Sequence, residues 1–231
     1  MKLKKIASLA LAGIMAVSML AGCGEGISNS GSSSSENTNT VTGYSASVQA
    51  KLSNTAQKKV ALSDSADLNS ALQTAMEYVA NSNIATWYDN NSVPSTVQVV
   101  SATGYASNPQ LVNAAENLIK AMDAENNVGN SARYALIKTL NPSTTNYNDD
   151  DRNVTFLFVV DGGKGANAVM KEVADLMNSG IEALDEHFDD GKNHIADYEY
   201  TGSVSAYTKT LTEDHGKSLT FIAVNVAREI V

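Results

Sequence analysis

Val154-Thr155-Phe156-Leu157-Phe158-Val159-Val160 restricts this chain more than any other segment. Successive side chains of a β-strand point to opposite faces of the sheet. Here both alternating sets are almost wholly apolar, so neither face of such a strand can look at water. The run therefore predicts a central strand with packing on both sides. A Gly-rich stretch, Asp161 to Gly165, follows it. Then comes a helical pattern over about 165–188. Ala166, Val169, Val173, Leu176, Met177, Leu184 and Phe188 fall on one stripe, and Glu172, Asp175, Glu182 and Glu186 lie away from it. Asp190-Gly191 is the expected stop.

The flanking sequence supplies partners for that strand. Residues 195–208 and 218–230 alternate as strands do. They read as an antiparallel hairpin around Glu213-Asp214-His215-Gly216, with one wetter face on the first strand. Before the central run, Leu68, Leu72, Ala75, Met76 and Val79 make a helical face over about 66–82, with Ser65 or Asp67 as cap. Asp89 to Pro94 reads as a turn, and Thr96–Ala102 as a strand ended by Gly104. Asn108-Pro109 opens another helix, Asn108 capping it and Pro109 at its first position. Leu111, Val112, Ala115, Leu118, Ile119 and Met122 are its buried stripe. Val48, Leu52, Ala56 and Val60 recur every fourth residue and suggest a helix over 44–62. Residues 131–140 suit a helix or a strand.

These elements predict an α+β domain over 43–231, a two-layer sandwich of helices on a mostly antiparallel sheet. If 131–140 is a strand, the middle of the chain takes the βαββαβ order of a ferredoxin-like fold with additions. Neither topology implies an activity.

The first 42 residues follow other rules. Lys2, Lys4 and Lys5 precede an uncharged, mostly apolar run of 16 residues, Ile6 to Ala21. A membrane-spanning helix needs about 20 apolar residues, so a short run behind a basic start fits a secretory signal. The run ends in Leu20-Ala21-Gly22-Cys23, which resembles the lipobox of bacterial lipoprotein precursors. The resemblance implies that the Cys23 thiol receives a diacylglyceryl group and that cleavage between Gly22 and Cys23 removes residues 1–22. Cys23 becomes the mature N-terminus. The implied partner is the membrane, reached through lipid on Cys23. The implied location is the outer face of a cytoplasmic membrane, or a periplasm-facing leaflet in a double-membrane cell. Residues 23–42, rich in Gly, Ser, Asn and Thr, read as a flexible tether. Cys23 is the one cysteine, so no intrachain disulfide can form.

Charge narrows the functional classes. The chain carries −9, and losing residues 1–22 with their three lysines and no acids leaves −12. Such a protein is repelled by phosphate backbones, which argues against nucleic acid. Catalytic motifs are missing. There is no Gly-x-Ser-x-Gly elbow, and no lysine after Cys23 has Ser three positions before it. The sequence implies no cofactor.

Three sets of residues remain as candidates. Gly162, Gly163 and Lys164 lie between a strand and a helix, where phosphate-binding loops sit, yet the P-loop spacing is absent. The simpler reading is a tight connection. Asp185, Asp189 and Asp190, near His187 and His194, carry the carboxylates that Ca²⁺ favours, and Asp149-Asp150-Asp151 makes a second acidic knot. EF-hand spacing fails there and solvated turns are the simpler reading. His187 falls on the apolar side of its expected helix, as a packing residue. Trp87 and Tyr88, expected in the loop before Pro94, Tyr105 after the first strand, and Tyr198, Tyr200 and Tyr207 along the hairpin could stack on a sugar or pack against a protein, with core and rim packing as the simpler reading. The expected role is a lipid-anchored binding or interaction module with an envelope protein or carbohydrate as partner. The alternatives are an envelope hydrolase without a recognisable motif and a small-ligand receptor for a transporter.

Overall fold

A computed structural model describes residues 43–101, 105, 108–125, 131–145, 147, 152–211 and 217–231. The signal segment, Cys23, the tether, Gly104, Asp149-Asp150-Asp151 and Glu213–Gly216 lie outside the described residues. In chain order the elements are α1 (Tyr44–Gln49), α2 (Asn54–Lys59), β1 (Val60–Leu62), α3 (Ala66–Met76), α4 (Asn81–Asp89), β2 (Gln98–Val99), α5 (Pro109–Ala121), α6 (Ala132–Leu140), β3 (Arg152–Asp161), α7 (Ala166–Glu182), β4 (His187–Asp189), β5 (Ile195–Thr210) and β6 (Ser218–Ile230).

The strands form one mostly antiparallel sheet in the order β1-β5-β6-β3-β2, with β4 paired to β5. β5 and β6 run antiparallel along 198–210 and 218–230, the expected hairpin. β1 joins β5 in parallel, Val60 opposite Tyr200. β3 is central, flanked by β6 and β2. Its one polar interior residue, Thr155, lies opposite Asn225, whose Nδ2 donates to the threonine Oγ1 at 2.9 Å. That pairing meets the rule that buried polar groups find partners.

Both faces of β3 are covered, and so is much of the sheet. Phe156, Phe158 and Val160 join Val204, Ile222 and Val224 under α1, α2, α6 and α7. Leu157 and Val159 join Phe221 and Ala223 under α3, α4 and α5. The helices-on-sheet arrangement predicted from the sequence is present, with a second helical layer that makes three layers in all. The physical reason is the one stated for the central run: a strand apolar on both sides needs cover on both sides. Residues 131–140 are helical, so the βαββαβ order does not form. Ser131 Oγ accepts the Tyr134 N–H at 3.4 Å, and Ala132, Ala135, Leu136 and Leu140 are buried. α6 lies so close to α7 that a Cβ on Gly180 would fall 2.5 Å from Leu136 Cδ1 and 3.0 Å from Arg133 Cα.

Several helix boundaries differ from the sequence reading, and cations from elsewhere in the chain meet the new ends. The pattern over 66–82 divides into α3 and α4, and Lys209 Nζ donates to the Met76 and Val79 carbonyls at the end of α3. α7 stops at Glu182, where Lys59 Nζ donates to the Glu182 and Leu184 carbonyls at 2.9 and 2.5 Å. Phe188 therefore lies on β4. Buried Arg228 donates from Nη1 to the Leu140 carbonyl at the end of α6, at 2.9 Å. The last carbonyls of a helix have no partner within it and carry partial negative charge, which favours a cation there. Residues 44–62 form two short helices and a strand instead of one helix. Of the strand expected over 96–102, Gln98–Val99 pairs with β3 and the Val100 N–H donates to the Leu157 carbonyl at 2.8 Å, while Ala102 lies outside the described residues. Ser45 of α1 closes part of the outer edge of β5: its Oγ receives the Val204 N–H at 2.9 Å and lies 3.3 Å from the Val204 carbonyl.

Candidate functional site

α4 and α5 hold a cleft between them on the side of the sheet covered by α3. Ile84, fully buried, seats α4 in the core. Asn83 and Asn108 join the two helices by a reciprocal amide pair, with Nδ2 to Oδ1 distances of 3.0 and 2.9 Å. Asn108 is buried and its side chain does not cap α5, contrary to the sequence expectation, because Asn83 holds it. Gln110, two residues along, accepts the Ala80 N–H on Oε1 at 2.9 Å and so fixes the start of α4.

Trp87 and Tyr88 sit in the last turn of α4, not in a loop. They take different directions. The Tyr88 hydroxyl donates to the Ser218 carbonyl at 2.7 Å and accepts the Ser218 N–H at 3.2 Å. It also lies 3.1 Å from Asp161 Oδ1. Burial above all, with the Asp161 carboxylate adding to it, pushes its phenol pKa up. Tyr88 thus ties α4 to the ends of β3 and β6. Trp87 lines the cleft and stacks on Tyr105, ring centroids 5.7 Å apart at 30°. The Tyr105 hydroxyl donates to Gln98 Oε1 at 2.8 Å, and burial pushes its pKa up to about 12.

The cleft has a volume of about 410 Å³ and is lined by Asn83, Thr86, Trp87, Asn90, Ser92, Tyr105, Asn108, Pro109 and Gln110. That size falls in the range of small-ligand sites, roughly 300–1,000 Å³. Its lining holds two aromatic rings, one of them the Tyr105 phenol, four carboxamides and two aliphatic hydroxyls, with no carboxylate, amine or histidine. A general acid–base step needs a titratable group within reach of the reacting atom. The lining offers the Tyr105 phenol alone, bonded to Gln98 and raised by burial to about 12, beside groups suited to stacking and neutral hydrogen bonds.

No family model, curated protein or solved structure matches the chain. Its own geometry therefore carries the functional reading.

The other candidate residues have local partners. In the strand-to-helix loop, Gly163 N–H donates to Asp161 Oδ1 at 2.8 Å. Gly162 must be glycine, since a Cβ there would fall 2.2 Å from Ser218 Oγ and 2.8 Å from its backbone carbon. Lys164 Nζ donates to the Ser95 carbonyl at 2.8 Å and pairs with Glu172, whose second oxygen accepts the Val97 N–H at 2.8 Å. Partial burial opposes the Glu172 carboxylate, but Lys164 and the Val97 N–H outweigh it and hold its pKa below the usual range. An anion at this loop would have to displace Glu172 from Lys164. The loop fastens α7 to residues 95–97.

Asp185, Asp189 and Asp190 are not gathered around one point. Asp185 N–H donates to Asn141 Oδ1 at 3.1 Å, Asp189 Oδ1 accepts the Gly191 N–H at 2.7 Å, and Asp190 pairs with His194 at 2.7 Å. Tyr147 stacks on His194, centroids 4.5 Å apart. Among the described residues no group of three acidic, His or Cys side chains could hold a metal ion. His187 is not a packing residue of a helix. It is exposed on β4, its Nδ1 2.6 Å from Asp197 Oδ1.

Sequence reasoning picked out Trp87 and Tyr105 but not Asn83 or Gln110, and it assigned Asn108 to a cap. The available signal was the recurrence of amides at Asn81, Asn83, Asn90, Asn91, Asn108 and Gln110. Asn90 and Asn91 read locally as part of a turn and Asn108 as a cap, which hides the recurrence.

Proposed function

We propose that this chain is a binding module held to the outer face of a cytoplasmic membrane, or to a periplasm-facing leaflet in a double-membrane cell, by lipid on Cys23, and that the cleft between α4 and α5 receives its ligand. The observation that carries the reading is the cleft: a recess lined by aromatic, amide and hydroxyl groups with no carboxylate, amine or imidazole. Leu20-Ala21-Gly22-Cys23 behind a basic, apolar start supports the lipid anchor. No helix among the described residues is long and apolar enough to cross a membrane, so attachment falls to the acyl groups. One acyl chain gives marginal binding, whereas two or more on one residue hold a domain stably. A Gly/Ser-rich tether over residues 24–42 would give the domain a reach of about 25 Å from the lipid.

Metabolic labelling with an alkyne palmitate tests the anchor. The expected result is label on the wild-type protein, and an unlabelled Cys23→Ser variant that runs larger because residues 1–22 are retained. An unlabelled wild-type chain that keeps Met1 and a free Cys23 thiol would overturn the proposal.

A further inference from the structure

We infer that the ligand of the α4–α5 cleft is an uncharged saccharide, stacked against Trp87 and held by the carboxamides of Asn83, Asn90 and Gln110. The inference rests on the cleft being the binding site and adds the chemistry of what fills it.

The lining selects by what it contains. Ordinary small-molecule sites are mainly apolar with a few convergent polar groups. Here carboxamides and hydroxyls outnumber the aromatic rings three to one. A lipid would leave those groups dehydrated without partners, and a proline-rich peptide, which lacks N–H donors, would leave the amide oxygens unmet; each such loss is costly. A pyranose has the complementary make-up. Its C–H face is apolar and flat enough to lie on an indole, and its rim carries hydroxyls that both donate and accept. A carboxamide likewise has both a donor and an acceptor, so the amide capacity left over from the Asn83–Asn108 and Gln110–Ala80 bonds suits such hydroxyls.

Charge separates saccharides further. The lining has no cation to hold a uronate, sulfate or phosphate. The chain as a whole carries −9, which disfavours anionic ligands at longer range.

The cleft is also set before any ligand arrives. The Asn83–Asn108 pair fixes two amide planes against each other, the Gln110 Oε1 bond to Ala80 leaves its Nε2 as the donor for a ligand, and Trp87 is braced by Tyr105. Fixed groups reduce the ordering cost of binding. The recess is open at the surface, with Thr86, Asn90 and Ser92 exposed at its rim, and so accepts part of a longer chain.

Trp87 is the one tryptophan of the protein, so its emission reports on this site alone. The acylated protein, kept in a polyoxyethylene detergent that has no sugar headgroup, is titrated with cellotetraose, maltotetraose, tetra-N-acetylchitotetraose, tetragalacturonate and decaproline. The expected result is a saturable change in Trp87 emission with at least one neutral tetrasaccharide. Its Kd should stay within about twofold when salt is raised tenfold, because no ion pair is screened. Calorimetry on Gln110→Ala should give binding about three- to tenfold weaker, the loss of one hydrogen bond. Trp87→Ala should weaken it at least about tenfold through the lost stacking surface. Lys164→Met, in the strand-to-helix loop, should bind as wild type. Circular dichroism of each variant confirms the fold. Absence of saturation with all three neutral tetrasaccharides overturns the inference, as does tighter binding of tetragalacturonate. Saturation by decaproline alone also overturns it, while leaving the binding-module reading intact.

Discussion

Phe156 and Leu157 are neighbours in sequence and lie in different cores, which makes the pair a direct test of the architecture. Phe156 is 0% exposed among the residues under α6 and α7, and Leu157 is 1% exposed among those under α3 and α5. Truncating a buried Phe to Ala costs about 3–5 kcal/mol, and a buried Leu to Ala about 2–5 kcal/mol. A sheet covered on one face would place one of the two in water, where substitution costs no more than about 0.5 kcal/mol. Here both Phe156→Ala and Leu157→Ala should lose at least about 2 kcal/mol each, a large part of a total stability of roughly 5–15 kcal/mol. With a urea slope of about 2 kcal/mol per molar, each variant unfolds at a midpoint about 1–2 M lower. Urea titration followed by far-ultraviolet circular dichroism measures both shifts. Trp87 emission, followed in parallel, reports from the layer that holds Leu157. A Leu157→Ala midpoint within about 0.25 M of wild type, next to a large shift for Phe156→Ala, would refute the second helical layer.

Three further outcomes are expected. Ser45→Ala leaves the buried Val204 N–H and carbonyl without their hydroxyl partner, and should cost about 1–3 kcal/mol in chemical unfolding. Gly162→Ala drives a methyl into the Ser218 backbone and should lower stability by about 1–3 kcal/mol, read as a lower thermal midpoint with an unchanged far-ultraviolet spectrum. For Glu172 the folded pKa lies below the unfolded one. Its contribution is therefore complete above the unfolded carboxylate range and is lost as pH falls through the depressed folded value. Because its side chain is 30% exposed, solvent screening limits that contribution to about 1 kcal/mol or less. Glu172→Gln should remove that part of the acid dependence, and an unaltered pH–stability curve would show that the Lys164 pair contributes nothing.

Legibility of the fold in the sequence followed the range of the forces involved. β3 and the β5–β6 hairpin were readable because a strand records its two faces in alternation, and β6 forms over the residues expected, 218–230. Helix ends were less legible. Lys209, Lys59 and Arg228 meet the ends of α3, α7 and α6 from positions 88 to 133 residues away, and no local pattern announces such a cation. The absent βαββαβ order turned on residues 131–140, where the same apolar spacing serves either a helix or a strand and only α7 and β3 beside it decide. The cleft was half legible. The single tryptophan, Trp87, is easy to notice, whereas Asn83 acquires meaning only when Asn108 meets it across 25 residues.

The parallel pairing of β1 with β5 also bears on the order in which the molecule can assemble. Val60 sits opposite Tyr200, so the first strand has no edge to join until 140 further residues have appeared. Closing so long a loop is slow and entropically costly. A chain threaded N-terminus first through a narrow pore must therefore travel open, and its earliest segment is captured only when nearly all the rest has emerged.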